Sequence, residues 1–152
     1  MTENFASLIS RAEQLLTRLE AVLPHPLQAP DWDSGALAWR YRQRRSGASS
    51  EPVYQLAAPR LEDLREIDAQ KDKVQRNVAQ FVQGRSANNM LLTGARGTGK
   101  SSLIKACLHS YAAQGLRLIE VDKTDLVDLP DIVDVVATRP EKFLIYCDDL
   151  SF

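Results

Sequence analysis

The spacing of apolar residues changes several times along this chain. Over residues 3–23 it is helical: Phe5, Ala12 and Leu19 recur every seven residues, as do Leu8, Leu15 and Val22, and Ile9, Leu16 and Leu23. That predicts an amphipathic helix of three heptads, ended by Pro24 and Pro26. It suits a coiled-coil or partner helix, or a helix packed on its own domain. Three heptads lie near the lower limit for a coiled coil, so packing on the domain is the expectation.

From Pro24 to Pro59 the periodicity is lost among prolines at 24, 26, 30, 52 and 59 and the run Ser46-Gly47-Ala48-Ser49-Ser50, which is loop or linker composition. Helical spacing returns at Val74, Val78, Phe81 and Val82, where Asp68 can cap a helix that Gly84 closes. Met90 to Leu92 is a short apolar run of the kind expected in a buried strand. Leu103, Ile104, Cys107, Leu108 and Tyr111 then predict a helix reaching towards Gly115, and Leu116 to Val121 a strand. Asp122-Lys123-Thr124-Asp125 reads as a polar turn. Pro130 opens a short helix that buries Ile132, Val133, Val135 and Val136 and ends at Arg139-Pro140. Lys142 to Tyr146 is apolar enough for a strand buried on both faces.

The chemistry lies between these elements. Gly94-x4-Gly99-Lys100-Ser101 has the pattern of a phosphate-binding P-loop, set between the expected strand and helix. Glycines let the backbone curl with N–H groups facing inward, and the following helix adds its positive end. Lys100 would place its charge on the β- and γ-phosphates, and Ser101 would ligate Mg²⁺. Gly94, Ala95, Arg96, Gly97, Thr98, Gly99, Lys100, Ser101 and Ser102 are therefore the candidate nucleotide-binding residues. Asp148 and Asp149 follow the last strand in the Walker-B arrangement, Asp148 to hold Mg²⁺ opposite Ser101 and Asp149 to orient the attacking water. Lys100, Asp148 and Asp149 are the candidate catalytic set. Ser101 and Asp148 are the candidate metal ligands.

Composition narrows the partners. In a chain of 152 residues, 44% hydrophobic and 26% charged, the net charge is −1. Residues 1–59 carry six basic and six acidic side chains, and the rest thirteen and fourteen. Neither part is basic enough to imply nucleic acid by charge alone. Arginines interleaved with aromatics in Trp39-Arg40-Tyr41-Arg42-Gln43-Arg44-Arg45 could meet phosphates or stack on bases, but a solvated face with Trp39 in the core is the expectation. No apolar run is long enough for a bilayer, the N-terminus lacks a basic start, and Cys107 and Cys147 have no metal-ligand spacing. A cytoplasmic protein is the economical reading.

From about Leu61 to its end the chain resembles an AAA+ ATPase. Ala87 to Leu103 and Cys147 to Phe152 are most similar to uncharacterised bacterial ATP-binding proteins grouped as a domain of unknown function within AAA+. Asp31-Trp32, Arg40 to Arg45 and Leu64 to Lys71 share that similarity. The resemblance implies an α/β fold, a partial P-loop NTPase three-layer sandwich preceded by the N-terminal helix. The division is a helix and linker region, 1–59, and a partial nucleotide-binding domain, 60–152. It also implies ATP and Mg²⁺ as ligands, with Gly94 to Ser102 around the triphosphate and Leu64 and Ile67 near the adenine. Self-association and an unidentified protein target follow from the same resemblance. Many AAA+ members end Walker B in Asp-Glu; Asp148-Asp149 here implies slow hydrolysis. The AAA+ sheet order 5-1-4-3-2 inserts a later strand between the Walker strands. Since the chain stops three residues after Asp149, it reads as an N-terminal fragment of a longer protein. A kinase-type order would instead place the Walker strands side by side. Two other functions fit the sequence: a nucleotide-binding module without catalysis, and a helicase-loader-like nucleic-acid-binding ATPase.

Overall fold

A computed structural model describes residues 2–23, 30–44, 47–64, 67–95 and 97–150, with side chains from Phe5 onward. It is a mixed α/β structure. The described elements are α1 (Thr2–Glu20), β1 (Ala38–Arg44), β2 (Gly47–Val53), α2 (Asp68–Val82), α3 (Lys100–Tyr111), β3 (Leu116–Val121), α4 (Leu129–Ala137) and β4 (Lys142–Tyr146). The strands form one sheet in the order β2-β1-β3-β4. β1 and β2 make an antiparallel hairpin, while β1 pairs with β3, and β3 with β4, in parallel.

Alternation along the strands sends side chains to two cores, one on each face of the sheet. Ala38, Leu116, Leu118, Leu144 and Tyr146 face α2 and α3, whose Val74, Val78, Leu103, Ile104, Cys107 and Leu108 complete the larger core. Tyr41, Ile119, Val121, Phe143 and Ile145 face the other way, against Ile132 and Val136 of α4. Trp32 stands edge-on to Trp39 at 4.8 Å and to Phe143 at 5.0 Å, so both tryptophans are packing residues, as expected for Trp39.

Four expectations are corrected. The linker read across Pro24 to Pro59 contains, over residues 38–44 and 47–53, the paired strands β1 and β2. The period of two in β1 is carried by Trp39 and Tyr41 alternating with Arg40, Arg42 and Arg44, and was masked by those arginines. Pro52 is tolerated because β2 lies at the edge of the sheet. Met90 to Leu92 forms no strand: it pairs with none of the described strands, and Leu91 is 61% exposed. With that segment outside the sheet, neither the 5-1-4-3-2 order nor side-by-side Walker strands is seen; β4 is an edge strand. The N-terminal helix does not pack on the domain, for every described side chain from Phe5 to Leu23 is exposed. Asp68 begins α2 rather than capping it, and its carboxylate pairs with Lys71 at 2.8 Å. Pro24 and Pro26, expected to stop α1, lie outside the described residues, as does Arg45.

Candidate functional site

The glycine loop joins the unpaired Met90–Leu92 segment to α3, and three glycines give it its path. Gly94, Gly97 and Gly99 have φ of 143°, 85° and 84°, a region that side-chain-bearing residues rarely enter. A Cβ on Gly94 would come within 3.2 Å of Thr98 Oγ1. Thr98 closes the turn by donating from its hydroxyl to the Ala95 carbonyl at 2.8 Å, and α3 starts immediately after Gly99. The segment entering the loop is held from α2, because Asn77 donates to the Asn88 carbonyl at 2.7 Å and accepts from the Asn88 N–H at 3.0 Å. That clamp substitutes for the sheet pairing that Met90 to Leu92 lacks.

The Lys100 ammonium turns back into the loop and donates to the carbonyls of Gly94 and Ala95 at 2.9 and 2.8 Å. Leu64 and Ile67 come close to the end of the loop, their methyl carbons 4.0 and 3.9 Å from where a Gly99 Cβ would stand. These two residues, expected near an adenine, border the loop. Arg96 lies outside the described residues.

The parallel pairing of β3 and β4 carries Asp148 to the same end of the sheet as the start of α3. Ser101 donates to Asp148 Oδ2 at 2.9 Å, across 47 residues of sequence, while Tyr146 donates to Ser101 Oγ at 2.9 Å. The Asp149 N–H donates to Asp148 Oδ1 at 2.9 Å from a backbone at φ 57°. Burial raises the Asp148 carboxyl. The Ser101 and Tyr146 hydroxyls, the Asp149 N–H and the Lys100 charge outweigh this and hold it below the usual aspartate value. The Tyr146 phenol is pushed up to about 12, first by burial and then by the neighbouring Asp148 charge, against the hydrogen bond to Ser101.

Lys100, Ser101, Asp148 and the backbone of Asp149 thus converge, with Gly94, Ala95 and Thr98 bonded within the same loop. Ser102 continues into α3 and makes no side-chain hydrogen bond among the described residues. Sequence reasoning missed Tyr146 and Asn77. Tyr146 sits two residues before Asp148, on the same face of β4 as the α3 core, which strand alternation could have signalled. Nothing in the sequence singles out Asn77. No cluster of three or more His, Cys, Asp or Glu side chains suited to a metal occurs among the described residues. A hydroxyl and one carboxylate is nevertheless a donor pair that suits Mg²⁺, which takes one or two protein oxygens and completes its shell with water and phosphate.

Two arginines of β1 are paired with carboxylates. Arg40 donates to Glu120 from Nε and Nη2 at 3.2 and 2.8 Å, and Arg44 pairs with Glu51 at 2.8 Å. No described helix is long and apolar enough to cross a membrane.

A family model described as a protein of unknown function, DUF815, matches residues 34–152. No curated protein matches the chain, and neither does any solved structure. The match covers most of the sequence, including the hairpin, the glycine loop and β4, so the chain belongs to the DUF815 family.

Proposed function

We propose that this DUF815 protein binds ATP with Mg²⁺ through the glycine loop, in the manner of an AAA+ type ATPase acting on an unidentified macromolecular target. The observation that carries the reading is the Ser101–Asp148 hydrogen bond. It joins the hydroxyl after the loop lysine to the carboxylate at the end of β4, the two oxygens the reading assigns to Mg²⁺. A fold with no use for that pair would have little reason to bring them together on an exposed rim.

In this reading Lys100 exchanges the carbonyls of Gly94 and Ala95 for phosphate oxygens, and the loop N–H groups and the N-terminus of α3 take up the remaining negative charge. Ser101 and Asp148 hold Mg²⁺, which when bound would neutralise charge on the phosphates. Tyr146 and the Asp149 N–H keep Ser101 and Asp148 aimed. The Asp149 side chain is the candidate for orienting water. Leu64 and Ile67 offer an apolar surface to a base. The paired Arg40 and Arg44 favour this reading over a nucleic-acid-binding one.

Calorimetric titration of the full chain with Mg²⁺-ATP tests the proposal. Saturable binding is expected in the wild type, and none in Lys100→Ala. Absence of binding by the folded wild-type chain, or equal affinity in Lys100→Ala, overturns it. Phosphate release separates an ATPase from a nucleotide-binding module: binding without release would leave only the latter.

A further inference from the structure

α1 is a helix with a core face and no core. Phe5, Leu8, Ile9, Leu15, Leu16, Leu19, Val22 and Leu23 follow one another along one stripe of the helix and its continuing turn, each 46–83% exposed. Such a stripe is satisfied only by another surface. The residues flanking it say which one. At 100° per residue, Arg11 and Arg18 fall on one flank of the stripe and Glu13 and Glu20 on the other. All four are exposed, and none takes part in an ion pair among the described residues.

We infer that α1 pairs in parallel with α1 of a second copy of this chain. A two-fold axis parallel to the helices turns the arginine flank of one copy towards the glutamate flank of the other. Arg11 then stands near the second copy's Glu13, and Arg18 near its Glu20, on both sides of the seam. An antiparallel pair sets arginine against arginine and glutamate against glutamate, so the charges select the parallel arrangement. They also disfavour an anionic membrane surface as the occupant, since the basic flank is balanced by an acidic one. The inference stands apart from the nucleotide reading and does not depend on it.

Sedimentation of the full chain, with near-ultraviolet circular dichroism of Trp32 and Trp39 as a check on the fold, is the test. The wild type is expected to approach twice the monomer mass as concentration rises. Leu8→Glu/Leu15→Glu and Arg11→Glu/Arg18→Glu should each stay monomeric with the tryptophan signal unchanged. Mixing Arg11→Glu/Arg18→Glu with Glu13→Arg/Glu20→Arg should restore a dimer containing one copy of each. Orientation is read with Leu19→Cys in a Cys147→Ser background: parallel helices place the two introduced thiols side by side, and oxidation should link the copies. A wild type that stays monomeric, including one that binds anionic vesicles instead, overturns the inference. So does a dimer that does not cross-link at residue 19, or one indifferent to the charge reversals.

Discussion

α1 and α3 invert the usual relation between pattern and burial. α1 separates apolar from polar residues cleanly around its axis, yet every described side chain on it is exposed. α3 separates them less sharply and buries Leu103, Ile104, Ala106, Cys107 and Leu108. The reason is position. α3 packs against both the sheet and α2, so neighbouring elements cover more than one of its faces, whereas nothing in the described chain covers α1. A clean amphipathic stripe shows that a helix has a partner; it does not say that the partner is in the same chain.

The largest effects should come from cutting α3. Leu108→Ala removes a fully buried side chain and should cost about 2–5 kcal/mol in urea unfolding. Leu16→Ala on α1 should change the domain's own unfolding by less than ~0.5 kcal/mol. Similar losses at the two sites would mean that α1 packs on the body after all. A sharper version uses the thiols. Burial pushes the Cys107 thiol up to about 11, so in the folded chain a thiol reagent should modify Cys147 first and reach Cys107 only on unfolding. Equal rates would show that α3 opens readily.

Smaller effects are expected where single polar contacts stand in for packing. Asn77→Ala leaves the Asn88 N–H and carbonyl without their partner, should cost about 1 kcal/mol, and should speed amide hydrogen exchange at Asn88. Tyr146 titrates above its ordinary value, so its contribution to stability is complete below pH 10 and fades as pH rises through about 12. Tyr146→Phe should flatten that alkaline limb of the unfolding curve. Smallest of all is Arg40→Ala, which breaks a surface pair with Glu120 and should cost at most about 1 kcal/mol by thermal unfolding.

Legibility in the sequence followed the range of the interactions. α2, α3, β3, α4 and β4 were all readable, because their spacing reports contacts that each element makes along its whole length. Gly94, Gly99, Lys100 and Ser101 were readable as a motif, and Asp148 as the acid at a strand end. β1 was hidden because its exposed face is arginine and its buried face contains only a few large residues, Trp39 and Tyr41 among them. Met90 to Leu92 misled because an apolar run reports burial potential, while a strand also needs a partner for its backbone. In the sequence Tyr146 shows only as the last residue of an apolar strand. Its role depends on a hydroxyl from α3 arriving 2.9 Å away, which no local pattern contains.

The parallel pairing of β1 with β3 sets residues 38–41 beside 118–121, a separation of 80 positions. Contacts of that span form late, because a long loop must close before any of its energy is gained. The hairpin can form early and alone, but β1 has no second neighbour until α3 has folded and β3 has been laid down. The chain should therefore assemble around its own middle, with the glycine-loop-to-β3 unit serving as the template on which the N-terminal hairpin docks. Cutting the chain between hairpin and loop would strand both halves, each left with an open strand edge that the other was shaped to fill.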